Sequence, residues 1–179
     1  MKSLWILTLS VAALLAAPPS SAPASAEVIE ASAHGFVIGG EVRIEAPHAR
    51  VWAVLSAPSL WWPDAHTWFG DASGLSLDLA PGGCWCETGE NGAFARHMEV
   101  VYLSPERSLR LSGALGPLQG QGVAGALSLD LIAQDEATVL RWRYRVGGHA
   151  EGGLEAWSVP VNQVLSGNIE RIRAVSEAS

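Results

Sequence analysis

Lysine is almost missing from this sequence. Lys2 stands alone, and no lysine follows it. A Walker A phosphate loop and a lysine Schiff base are therefore both excluded. No G-x-S-x-G, no H-E-x-x-H and no internal repeat occurs, and no motif for a cofactor is found. Positive charge is scarce as a whole. Beyond residue 26, ten arginines face eighteen acids, a net charge of about −8. Such a chain is a poor partner for nucleic acid and for anionic membranes. Cysteine is confined to Cys84 and Cys86.

What is present begins with an export signature. Lys2 supplies a short positive region, Leu4 to Ala17 an apolar one, and Ala24, Ser25 and Ala26 a small-residue cleavage site before Glu27. The apolar run is too short for a membrane span and runs into Pro18, Pro19 and Pro23. No cysteine lies near the cleavage site to carry a lipid. Residues 1–26 are read as a signal peptide, 27–34 as an N-terminal linker and 35–179 as one domain, large enough to bury a sizeable core. The expected location is periplasmic or secreted, with no stable membrane anchor after cleavage.

Residues 157–179 carry the clearest helical pattern. Val161, Val164, Leu165, Ile169, Ile172 and Val175 recur at three- and four-residue steps, and Glu170, Arg171, Arg173 and Glu177 fall off that stripe. Ser158 fits an N-cap and Pro160 a first turn. Burying six such aliphatic side chains is worth roughly 1.5–3 kcal/mol each before ordering entropy is subtracted. The rest of the chain must supply the surface that covers them. Gly167, costly at mid-helix, is expected close to a strand or ligand.

Residues 35–46 alternate as a strand buried on one side, with Phe36, Ile38, Val42 and Ile44 inward. Residues 47–55 read as a short helix, and a second short helix or loop follows with Trp61, Trp62 and Pro63. From 75 to 146 the signals are strands separated by turns such as Pro81-Gly82-Gly83 and Glu90-Asn91-Gly92. Short links make successive strands antiparallel neighbours. The resulting class is α+β: a curved antiparallel sheet of about seven strands around a long C-terminal helix, with two short helices after the first strand.

Hairpin registers follow from the apolar pattern. A loop over 134–137 sets Leu131 opposite Leu140, Leu129 opposite Trp142 and Leu127 opposite Tyr144, with Asp130 facing Arg141 on the other side. A loop over 104–107 pairs Tyr102 with Leu109 and Val100 with Leu111. Carrying that side through the turn at 89–92 places Met98, Arg96 and Phe94 inside, opposite Trp85 and Glu87, with Cys84, Cys86 and His97 outside. A single bulge would exchange the two sets.

The order of elements, with VWAVLSAPSLWWP after the first strand, PGGCWCE opening a strand, HMEVVYLSP and LRLSGALGPLQG, resembles the START-like, SRPBCC superfamily, nearest its polyketide-cyclase-like and heat-shock-ATPase-activator-like branch. The resemblance covers roughly residues 36–176. It implies a helix-grip fold, in which the sheet grips the C-terminal helix around an apolar cavity. The same fold hosts carriers, cyclases and hydrolases, so it implies no single activity.

Aromatic walls with a few polar groups are what a small-molecule site needs. Trp61, Trp62, Trp85, Met98, Leu111, Trp142 and Tyr144 are the candidate ligand-binding residues, with Glu87 and Arg96 as polar groups at the wider end; Trp68 is a further aromatic candidate. Packing in a solid core is the alternative for each aromatic. His66 and Asp64 are candidates for acid–base work or for a capped turn. Arg141, Arg143 and Arg145 read as a solvated face. The glycines of SGALGPLQGQGVAG read as a flap beside the cavity.

Cys84 and Cys86 on one strand face would have Cα atoms about 6.6–6.8 Å apart, so a disulfide needs a local kink. The other reading is a metal set of Cys84, Cys86 and His97 with His66 as a fourth ligand; C-x-C alone does not establish one, and no metal is assigned. The leading expectation is an exported domain binding a small hydrophobic molecule. The alternatives are a cyclase- or hydrolase-type enzyme using Glu87, Arg96 or His66, and an interaction module with a filled core.

Overall fold

The computed structural model describes residues 25–178. The expected signal peptide lies outside them except for Ser25 and Ala26. Eight strands form one open sheet: β1 (Ser25–Ser32), β2 (Gly35–Ile44), β3 (Leu75–Leu77), β4 (Cys84–Thr88), β5 (Phe94–Ser104), β6 (Ser108–Ser112), β7 (Gly122–Gln134) and β8 (Ala137–His149). Two α-helices accompany them, α1 (His48–Leu55) and α2 (Glu155–Glu177). The sheet order is β1-β2-β8-β7-β6-β5-β4-β3, with every neighbouring pair antiparallel. This is the α+β class read from the sequence, a curved, unclosed sheet gripping its C-terminal helix.

The extra strand is β1. Residues 27–34, read as a linker, instead pair with β2 and turn into it. Their signal is weak because both faces of an edge strand meet water in part: Val28 and Ile29 are exposed, and Glu27 and Glu30 place charge where another chain could otherwise pair. The second short helix is two 3₁₀ turns, Pro58–Leu60 and Asp64–His66. Three residues make each of them, too few for an α-helical turn to close its own hydrogen bonds.

The core lies between the concave side of the sheet and α2. Phe36, Ile38, Val42 and Ile44 of β2 are buried, as their alternation requires. The β7–β8 register is the one the apolar pattern dictates: Leu131 faces Leu140, Leu129 faces Trp142, Leu127 faces Tyr144 and Asp130 faces Arg141. The turn is tighter than the four-residue loop, with Gln134 paired to Ala137 and Asp135 at φ 55°. Arg141 bonds Glu41 of β2 at 3.2 Å rather than Asp130, which accepts the Ser108 hydroxyl at 2.6 Å.

α2 packs on β2, β1 and α1. Leu165, Ile169 and Ile172 are buried, joined by Asn168 and Ser176. The helix begins two residues earlier than its apolar pattern. Ser158 is therefore no N-cap; its hydroxyl donates to the Glu155 carbonyl at 2.7 Å. Pro160 falls inside the helix, where it has no N–H for the carbonyl one turn back. Gly167 faces solvent, and a Cβ there would meet nothing within 4 Å, so its proximity to a strand or ligand is not what the structure shows.

β5 is where pattern and structure part. It carries two bulges. One skips Val101, so Tyr102 pairs with Arg110 and turns outward, its ring 5.3 Å from the Arg110 guanidinium carbon. The pairing of Val100 with Leu111 is kept, because a three-residue turn at 105–107 and the bulge offset each other. The other bulge skips His97: Trp85 faces Met98, but Cys86 faces Arg96. His97 and Met98 are consequently both buried, while Arg96 and Phe94 are exposed. The expected inward facing of Arg96 and outward facing of His97 are thus reversed, for the physical reason that two residues of β5 oppose one of β4.

Candidate functional site

A cleft of about 420 Å3 opens between α2 and two loops. The loop after α1 contributes Trp62, His66, Thr67 and Trp68, the loop after β6 contributes Leu115, Gly116 and Pro117, and α2 contributes Trp157, Val161, Val164 and Leu165. The helical stripe is wider than the sheet can cover. Ile169 and Ile172 are buried in the core, whereas Val161 and Val164, a turn or two earlier, are only half-buried and form the cleft wall. Two other depressions, each of about 620 Å3, are larger but polar. One holds Asp64, Asp71, Ser73 and Arg171, the other Arg96, Glu99, Ser112 and Gln119.

Of the nine residues expected to bind ligand, only Trp62 lines the apolar cleft. Trp61, Trp62 and Trp85 form one cluster of edge-to-face and tilted rings with centroids 5.2–5.8 Å apart. Trp61 donates its indole N–H to the Val54 carbonyl at 3.0 Å and Trp62 to the His66 carbonyl at 2.9 Å, which ties the loop to α1 and to itself. Trp85 lies behind this layer. Met98, Leu111, Trp142 and Tyr144 are at most 1% exposed and belong to the core. They face the interior as their parity demands, but none lines the apolar cleft, and Met98 reaches only the polar depression that also holds Arg96. Trp68 and His66 sit on the cleft wall, and Trp68 is half-exposed at its mouth.

Behind Trp68 lies the most concentrated polar arrangement of the interior. Glu87 is fully buried, inward on β4 as expected. Its carboxylate accepts the Trp68 backbone N–H at 3.0 Å and the Phe69 backbone N–H at 2.7 Å. His97 Nε2 lies 3.0 Å from the same carboxylate, and since that oxygen can only accept, Nε2 carries the proton. Burial lowers the His97 pKa below 6.5, partly offset by the hydrogen bond and charge of Glu87. Glu87 therefore holds residues 68–69 in place from beneath. Three donors occupy its oxygens, which leaves it a positioning group rather than a free acid or base.

The other acid–base candidates are dispersed. Asp64 accepts the Ala72 backbone N–H at 2.9 Å, a turn-capping role. Arg96 pairs on the outer face with Glu99 at 3.1 Å. Among Glu87, Arg96 and His66, His66 alone lines the cleft. Cys84 and Cys86 form a disulfide with Cα atoms 5.3 Å apart. That is shorter than the roughly 6.6–6.8 Å of a regular strand, and the slip in the β4–β5 ladder falls at the same residues. With both sulfurs in the bridge and His97 turned inward, these three residues do not make a ligand set.

Tyr144 anchors the glycine-rich loop. Its hydroxyl accepts the Leu115 N–H at 3.1 Å and donates to the Gly113 carbonyl at 3.2 Å. Burial pushes its pKa up to about 12, so it stays a donor at any ordinary pH. Gly125 must be glycine there, because a Cβ would lie 2.7 Å from that hydroxyl.

The residues that pattern reading missed are His97 as the partner of Glu87 and the clamp on residues 68–69. The available signal was the C-x-C itself, whose bonding requires a bend in β4 and hence a break in register.

No family model and no curated protein matches the chain. Solved structures do. A conserved protein of unknown function from Enterococcus faecalis matches with a TM-score of 0.56 at 16% identity, over 87% of this chain and 77% of its own. A protein from Chromobacterium violaceum matches with a TM-score of 0.55 at 14% identity, over 80% and 98%. One from Nitrosomonas europaea gives 0.52 at 13%, over 81% and 95%. At these identities the likeness is one of fold: an antiparallel sheet with a C-terminal helix, shared with proteins whose own functions their descriptions do not state.

Proposed function

We propose that this chain is an exported member of the START-like superfamily that binds a small hydrophobic molecule in the cleft between α2 and the tryptophan-rich loop. The observation that carries the reading is the cleft itself, about 420 Å3 walled by Trp62, Trp68, Leu115, Trp157, Val161 and Val164. Its size and its apolar, aromatic walls suit a small organic ligand. Periplasmic or secreted location rests on the sequence of residues 1–26.

Three tryptophans on the wall supply the assay. An apolar naphthalene probe added to the isolated protein should bind saturably and quench tryptophan emission. Val164→Trp should fill the cleft and abolish binding with the fold intact. Leu111→Trp, one layer deeper in a packed core, should instead destabilise by about 1–3 kcal/mol and leave probe affinity nearly unchanged. Absence of saturable binding, or equal binding by Val164→Trp, would overturn the proposal.

A further inference from the structure

The Cys84–Cys86 bridge and the slip in the β4–β5 ladder fall on the same residues. Bonded, the two Cα atoms are 5.3 Å apart, whereas positions i and i+2 of a regular strand lie about 6.6–6.8 Å apart. The contraction bends β4 where Trp85 faces Met98 and Cys86 faces Arg96, with His97 left over. If the ladder ran on regularly from Cys84–Glu99 and Trp85–Met98, Cys86 would face His97 and Glu87 would face Arg96. Strand alternation would then turn Arg96 inward beside Glu87 and His97 outward. Either arrangement would give the buried carboxylate one partner from β5.

We propose that Cys84–Cys86 is a redox-modification site whose reduction by a dithiol exchanges His97 for Arg96 beside Glu87. Both cysteines are half-buried on the outer side of the strand, within reach of a reductant. A thiolate of the dithiol attacks the Cys84 sulfur. The Cys86 sulfur leaves as a thiolate; Arg96 is its cross-strand partner in register, with the guanidinium paired to Glu99 at 3.1 Å. The second thiol of the reductant, as its thiolate, then releases Cys84 and closes the reductant into its own disulfide, so that two electrons and two protons pass to the protein as two thiols. With the bridge gone β4 straightens, the bulge is no longer required, and Glu87 takes a permanent cation in place of a neutral imidazole. Glu87 carries residues 68–69, so the exchange is felt at the cleft wall, whether or not the cleft holds a ligand.

Histidine labelling reads the exchange directly. The isolated protein is treated with dithiothreitol under native conditions, and reduction is confirmed by a mass gain of about 2 Da. Diethyl pyrocarbonate labelling of each histidine is then followed by peptide mass spectrometry. His97 should be protected in the oxidised protein and should rise to the rate of the exposed His34 and His149 after reduction. Cys84→Ser/Cys86→Ser should label in the same way without reductant. Arg96→Gln removes the incoming cation, so its reduced form should keep His97 protected. The proposal is overturned by no mass gain, by unchanged His97 protection, or by loss of near-ultraviolet circular dichroism on reduction, which would make the bridge a plain staple. It is equally overturned if reduced Arg96→Gln labels as fast as the reduced wild type, since His97 would then be fraying rather than exchanging.

Discussion

Two hairpins of one sheet behave oppositely. Along β7–β8, the inward residues pair apolar with apolar from Leu127–Tyr144 to Leu131–Leu140, and the ladder runs its whole length without a slip. Along β4–β5, five residues of β4 meet a strand of eleven, a disulfide bends the shorter partner, and one residue of β5 drops out of the ladder. The first hairpin is held by repetition: each of Leu127, Leu129 and Leu131 confirms the register of the next, and a slip would expose them all. The second is held by particular bonds, chiefly those of Glu87. Regular apolar pairing yields a rigid floor, and the irregular hairpin yields the polar post on which the cleft loop stands.

The sharpest way to break this comparison is to remove the post. Glu87→Ala leaves two backbone donors and His97 buried without their acceptor, and should cost about 3–5 kcal/mol in chemical denaturation. Leu140→Ala, at the centre of the regular hairpin and fully buried, should cost about 2–5 kcal/mol. The two differ in kind. Glu87→Ala should also raise amide exchange at Trp68 and Phe69, whereas Leu140→Ala should leave those two amides protected as in the wild type. Equal protection at 68 and 69 in both variants would erase the distinction.

Acid sharpens the contrast further. The folded His97 pKa lies below the unfolded value of 6.5, so the unfolded chain binds more protons through that interval. The associated stability is fully present above pH 6.5 and is lost as pH falls through the folded value. Denaturation midpoints should therefore drop between about pH 7 and 5 by more in the wild type than in His97→Gln. The same drop in both would place the acid sensitivity elsewhere. Gly167→Ala should show the smallest effect, a gain of up to about 1 kcal/mol, because α2 is helical there and the new methyl meets only solvent. A loss at this position would mean that the outer face of α2 is covered.

Which parts could be read from the sequence follows the same division. β2, α1, the β7–β8 register and the buried stripe of α2 were legible, since each repeats one rule several times over. Trp85 and Glu87 were placed inward correctly, because β4 alternates without interruption. Arg96, His97 and Tyr102 were not legible, because one extra residue inverts facing and leaves no trace in composition. The cleft was legible as an apolar opening against the helix but not in its position. Trp142, Leu111 and Met98 carry the right parity for an inner wall, yet parity does not distinguish a wall from a filled core. That distinction depends on how far α2 extends past the sheet, which its start at Glu155 decides.

The Tyr144 hydroxyl has a consequence for the energetics of any guest. It fastens Leu115, one wall of the cleft, to a strand 29 residues away in sequence. A surface loop free to wander would have to be frozen by each incoming molecule, at about 1–2 kcal/mol for every residue ordered. Here that ordering is completed when the chain folds. Binding of the kind proposed for the cleft would thereby be relieved of an entropic penalty, and its expected thermodynamic signature is that of a pre-formed receptor, with a modest entropy of association and a negative heat-capacity change from apolar contact alone.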